Sequence, residues 1–455
     1  MTAQRRTAKL KAKQAAPLRA RVAKAPAAKK RGVTTQAAQQ QAATKRAPTE
    51  TVVSAVKEPK RARSATASST GATPAQSANK YATVALVLQG GGALGSYQCG
   101  VYEGLHKAGI QPNWFAGISI GAINAAILAG NAPEHRIERL HAFWDRISVP
   151  AAPMAQQMLT FQQQLFDAFK LNKTTAALTN QQGALAAILF GQSGFYVPRM
   201  PPPGLGSSQG EEATSFYSTA PLKQTLEEFV DFDRINRGDV RFSVAAVNVQ
   251  TGNFVNFDNR NCKIRVEHVL ASGALPPAFP AVEIDGEYYW DGGVVSNTPL
   301  DHVLGSEPHC DCLVFQVDLW RAQGILPRNL QEVAERQKDI QYSSRTRFNT
   351  TVIQQMHDLR TTLNTMLKEI PPQHLSNELR KQLEPWLSDR VYNIIHLIYK
   401  TKPFEEQYKD YSFAPSTMRE HWHAGLLDMH RTLAHPEFFV QPSREVGVVT
   451  HDVHR

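Results

Sequence analysis

Between Ala82 and Ala129 the chain twice runs from a short apolar segment, through glycines, into a helix-like stretch, and no other feature restricts its fold so sharply. Ala82 to Leu88 (ATVALVL) is apolar and β-branched without alternation, the pattern of a strand buried on both faces. Ser96 to Ala108 reads as a helix, Trp114 to Gly117 as a second strand, and Ile120 to Ala129 as a small-residue helix. Strand–loop–helix alternation predicts an α/β fold with a mainly parallel sheet flanked by helices. Further strands are expected at Arg241–Val249, Phe254–Phe257 and Cys312–Asp318.

On either side of this core the texture changes. Residues 1–80 are rich in Ala, Lys, Arg, Gln, Thr and Pro and nearly lack large apolar side chains. Such a segment cannot bury enough surface to offset its ordering entropy, so a disordered basic tail is expected there. Residues 150–215, rich in Met, Phe, Gln and Pro, read as an insertion in a catalytic domain spanning 81–320, either a lid or a plain surface excursion. From 321 to 455 a mostly helical C-terminal domain is expected, with helices over Asn329–Lys368 and Ser416–Leu433 and a strand at Val391–Tyr399.

Charge follows the same division. The first 80 residues carry 18 Lys and Arg against Glu50 and Glu58, a net of +16, whereas 81–455 carry 32 basic and 38 acidic residues, a net of −6. The basic arm suits a nucleic acid, an anionic membrane surface, a targeting role or simple solubility. Four scattered cysteines point to a reducing compartment with no disulfide framework and no structural metal. No apolar leader follows the first charges, and the least polar run, Phe115–Gly130, is shorter than the ~20 residues of a membrane span. A cytoplasmic or peripheral membrane location is expected.

Three motifs carry the chemistry. Gly90-Gly91-Gly92-Ala93-Leu94-Gly95 follows a strand and opens a helix, where unobstructed amides favour a phosphate or a developing oxyanion. The loop also fits G-x-G-x-x-G, but no acidic residue lies between Glu103 and Glu134 to hold a ribose, so the dinucleotide reading fails. Gly117-Ile118-Ser119-Ile120-Gly121 has the form and setting of a nucleophile elbow. Trp290-Asp291-Gly292-Gly293, ahead of Asn297 and Pro299, can bring a carboxylate close to another loop, where it would serve Ser119 as general base. A tight turn is the plainer reading of D-G-G. A triad using His302, His396, His421 or His423 remains an alternative, as does a non-catalytic scaffold for the basic arm.

In that order, the three motifs resemble the patatin-like phospholipases, and Ala271-Ser272-Gly273-Ala274-Leu275-Pro276 through Phe279-Pro280 is similar to the segment those proteins carry before the Asp strand. The resemblance implies a three-layer sandwich and a Ser–Asp dyad falling on Ser119 and Asp291. It implies an oxyanion hole in Gly90–Gly95, with Gly117 and Gly121 framing the elbow and Gly292 and Gly293 the Asp loop. It also implies hydrolysis of a lipid or phospholipid acyl ester through an acyl-enzyme, with no metal or cofactor. Residues from about 330 onward, including Asp410-Tyr411-Ser412-Phe413 and Glu420-His421-Trp422, look similar to a C-terminal domain of unknown function on a bacterial subset of these enzymes.

Overall fold

In the computed structural model, residues 72–452 are described, apart from 154–155, 158–182, 206–209, 308–309, 345, 372–373, 375, 384–386, 388–389 and 402–407. Most of the basic tail and the middle of the 150–215 insertion therefore lie outside the described residues. The tail's expected end at residue 80 is corrected. Pro74–Ala78 is a helix capped by Thr73, whose hydroxyl accepts from the Gln76 amide, and Ala78 packs into the core.

Among the described residues the central sheet has nine strands. They are β1 (Thr83–Leu88), β2 (Trp114–Gly117), β5 (Arg241–Asn248), β6 (Phe254–Asp258), β7 (Val282–Ile284), β8 (Glu287–Asp291), β9 (Cys312–Asp318), β10 (Tyr392–Ile398) and β11 (Val448–Asp452). A separate hairpin pairs β3 (Val197–Pro198) with β4 (Tyr217–Ser218). The order is β11-β10-β9-β1-β2-β5-β8-β7, with β6 also on β5. The pairs from β11 to β5 are parallel, while β6, β7 and β8 join antiparallel.

β1 shows why the unbroken apolar run was needed. Leu86 and Leu88 enter one core, with helices Ser96–Lys107, Ile120–Ala129 and Pro415–Leu433 over it. Ala85 and Val87, on the opposite face, pack with Leu300, Val303 and Tyr392. Alternate side chains reach two apolar layers, so period two is hidden when both faces are covered. The result is the expected three-layer arrangement.

The C-terminal region does not stand apart as a domain. It is mostly helical, as expected, but β10 pairs with β9 over seven residues and β11 pairs with β10, so the sheet is completed by the end of the chain. The described residues fall in one compact unit. Helix Pro415–Leu433 lies backbone to backbone on Ser96–Lys107, where a Cβ at Gly100 would collide with the Trp422 carbonyl and one at Gly425 with the Tyr97 carbonyl. Tyr97 donates to Asp428 at 2.9 Å and Trp422 to Glu103 at 2.5 Å across the same contact. A boundary drawn at residue 320 from local texture could not foresee this, because strand pairing and helix crossing are set by distant partners.

Candidate active site

Ser119 sits at the turn between β2 and helix Ile120–Ala129 with φ 57° and ψ −125°, a conformation that few non-glycine residues adopt. The turn holds because its neighbours are locked. The Ile118 amide donates to the Leu88 carbonyl at 3.1 Å, and the Ser119 amide to the Ser272 carbonyl at 3.0 Å. A Cβ at Gly117 would strike the Gly121 carbonyl, and one at Gly121 the Leu88 carbonyl. Both flanking glycines of the motif are therefore steric requirements of the elbow.

Asp291 ends β8, its amide bonded to the Ala274 carbonyl at 3.0 Å. The A-S-G-A-L-P segment thus touches both motifs, through Ser272 and through Ala274. Asp291 is 1% exposed. One carboxylate oxygen, Oδ1, accepts from the Gly293 amide at 2.7 Å, and the Ser119 hydroxyl lies near enough to lower the carboxyl's pKa. Burial raises its pKa to about 7, with the nearby Ser119 hydroxyl and the Gly293 hydrogen bond pulling the other way.

The glycine loop lies against the serine, since a Cβ at Gly90 would come within 2.9 Å of the Ser119 Cβ. The Gly90 carbonyl accepts twice, from Trp320 Nε1 at 2.8 Å and Asn297 Nδ2 at 2.9 Å. In a trans peptide the carbonyl and the next amide point in opposite directions, so anchoring Gly90 O fixes where the Gly91 N–H is aimed. Not all of the loop keeps a free donor. The Gly90 amide is bonded to the Asn297 carbonyl at 3.2 Å and the Leu94 amide to the Gly91 carbonyl at 3.2 Å. The expectation of donors throughout Gly90–Gly95 is therefore narrowed. Gly91 and Gly92 are the amides at its start without an acceptor among the described residues.

The C-terminal region supports this loop from behind. Gly92 has φ 55°, and a Cβ there would collide with the Asp410 carbonyl. The Tyr342 carbonyl accepts from both Gln89 Nε2 at 3.1 Å and Asn297 Nδ2 at 2.9 Å. Gln89, fully buried between β1 and the glycines, also accepts from the Leu319 and Trp320 amides at 2.6 and 2.9 Å. Sequence reasoning assigned no role to Gln89, Asn297, Trp320 or Tyr342. A buried glutamine at the end of an apolar strand is a readable anomaly, and Asn297 lies close behind D-G-G. Nothing local marks Trp320 or Tyr342.

The candidate histidines are not brought to the serine. His302 Nε2 is 3.1 Å from Asp258 and His396 Nε2 is 2.6 Å from Asp318. His421 faces the Ala93 carbonyl at 3.4 Å, and His423 is exposed. The described C-terminal end of the insertion supplies Phe195 and Tyr196 to an aromatic cluster with Tyr217, just beyond it, Phe279 and Phe413. The lid expected over 150–215 falls largely on residues outside those described.

A family model described as patatin-like phospholipase matches residues 86–304, which include every motif residue above. A second, described as patatin phospholipase, matches 340–445. The chain belongs to the patatin-like phospholipases. In this patatin-like protein the two matched segments share one sheet, with Trp320 between them. No curated protein matches the chain. Among solved structures, VipD from Legionella pneumophila is 16% identical, covers 77% of this chain and 67% of its own, and gives a TM-score of 0.31, too slight a likeness to argue from. Among the described residues no helix is long and apolar enough to cross a membrane, and no cluster of His, Cys, Asp and Glu could hold a metal ion.

Proposed function

We propose that this protein hydrolyses the carboxylic esters of lipids with Ser119 as nucleophile and Asp291 as general base. The observation that carries the reading is a strained, half-buried serine beside a buried carboxylate whose pKa burial has raised to about 7. A base of that strength ionises near neutral pH and still takes a proton readily.

As Ser119 Oγ attacks the ester carbonyl, its proton passes to Asp291. The tetrahedral oxyanion is received by the Gly91 and Gly92 amides, held in aim by Trp320 and Asn297. Collapse breaks the ester C–O bond, and the leaving alcohol takes the proton from Asp291. Water then attacks the acyl-enzyme, giving its proton to Asp291, and the acid leaves as Ser119 is reprotonated. Val294 and Val295, directly after the Asp loop, are 45% and 52% exposed, an apolar rim suited to an acyl chain. The arm of net +16 offers a route to an anionic lipid surface.

Fluorophosphonate labelling of the purified protein, with the modified peptide located by mass spectrometry, tests the assignment without presupposing a lipid. Labelling at Ser119 that is lost in Asp291→Asn is the expected result. Folded protein that labels elsewhere, or labels equally in the variant, would remove the dyad.

A further inference from the structure

At the end of the sheet opposite Ser119 lies a cavity of about 330 Å³, within the small part of the ~300–1,000 Å³ range of ligand sites. It opens at the amino ends of five parallel strands, whose first residues Thr83, Trp114, Arg241, Cys312 and Tyr392 line it. Strands of this length separate it from the serine by ~15–20 Å.

Its charge is unbalanced. Arg241 is answered by Asp258 at 2.8 Å, and Asp239 by Arg234 at 3.1 Å. The other two lining arginines, Arg260 and Arg390, make no ion pair among the described residues. Arg390 is 5% exposed, lies over the Tyr392 ring at 5.3 Å, and has Nε and Nη1 buried without an acceptor. Burial holds its pKa below the usual arginine value, opposed through space by Tyr392 and Glu307. Leaving charged donors buried and unsatisfied is costly, and such groups in folded proteins ordinarily meet a polar partner, whether protein, ordered water, an ion or a ligand. Arg260 also lines the cavity; it is exposed and donates to the Glu307 carbonyl at 3.2 Å.

We propose that this cavity is a second binding site, separate from the hydrolytic centre, for a small molecule carrying a phosphate group. Two guanidinium forks from different segments can grip a tetrahedral dianion from two directions, whereas a planar carboxylate suits one fork. Arg260 comes from the first matched segment and Arg390 from the second, so the bound phosphate would also tie the two together.

Isothermal titration calorimetry of the full chain with inorganic phosphate, glycerol 3-phosphate and acetate tests this. Saturable one-to-one binding of the two phosphates, weakened at least ~10-fold in Arg390→Met and in Arg260→Met, is expected. Ser119→Ala should bind as the wild type does. The basic arm is common to all these proteins, so its own phosphate binding cancels in the comparison. Should Arg390→Met not fold, the exposed Arg260→Met decides alone. The proposal is overturned if neither phosphate binds, if Arg260→Met binds them unchanged, or if acetate binds as tightly. Binding confined to phosphatidate vesicles, without the soluble phosphates, would equally overturn a small-molecule site.

Discussion

Each end of the sheet buries an aspartate, and the two have opposite environments. Asp291 meets neutral donors, the Gly293 amide and the Ser119 hydroxyl, so burial prevails and its pKa rises to about 7. For Asp258 burial also pushes upward, but His302, the Arg260 amide, Ser243 and Arg241 together hold the carboxyl well below the usual carboxylate range. The difference teaches that burial alone does not make a base. A buried carboxylate given a guanidinium and several further hydrogen-bond partners stays ionised and structural, whereas one given only weak neutral donors stays ready to take a proton.

The sharpest way to break that comparison is to remove each carboxylate. Asp291→Asn, like Ser119→Ala, should lower kcat on a chromogenic ester by ~10⁴-fold or more in a protein that still folds. Asp258→Asn should leave kcat near wild type yet cost about 3–5 kcal/mol in urea unfolding, because Arg241 and His302 lose their partner. Equal kinetic damage from both would show that the two sites are not distinct in kind.

The pH dependence sharpens it. Only ionised Asp291 can act as base, so kcat/KM should fall as pH drops through about 7. Its raised pKa means that the fold favours the neutral form, a stability contribution complete below the ordinary Asp value and lost as pH rises through about 7. Asp291→Asn should therefore melt higher than the wild type at pH 8, with the gap shrinking toward pH 4. Asp258 has the reverse sign, contributing stability above the ordinary Asp value and losing it in acid. A wild-type rate that is flat from pH 5 to 8 would remove Asp291 as the titrating base.

The smallest expected effect is the most diagnostic of the loop. Trp320→Phe deletes one donor to Gly90 O while keeping most of the ring, so kcat should fall by ~10-fold with KM little changed. That is less than the ~10²–10³ lost with a direct oxyanion donor. An unchanged kcat would mean that Asn297 alone sustains the peptide.

Much of the site was legible because its chemistry is written locally. An elbow serine needs small residues two positions either side, and Gly117 and Gly121 are there for steric reasons visible in the pentapeptide. The buried strand β1, the helix after it and Asp291 at a strand end follow from runs of a few residues. The supports of the glycine loop were not legible, since Trp320 and Asn297 lie more than 200 residues from Gly90. The predicted boundary at 320 failed for the same reason.

What the sequence determined by itself was therefore the alternation of elements, the elbow, the aspartate at a strand end and the separation of a basic arm from a mildly acidic body. Each depends on side chains within one turn or strand of one another. Only the tertiary structure decided that β10 and β11 complete the sheet, which amides of the glycine loop remain without an acceptor, and that Asp291 rather than Asp258 is the weak acid of the pair. Those outcomes depend on strand pairing, on hydrogen bonds between distant segments and on the electrostatics of burial, none of which exists until the chain has brought its ends together.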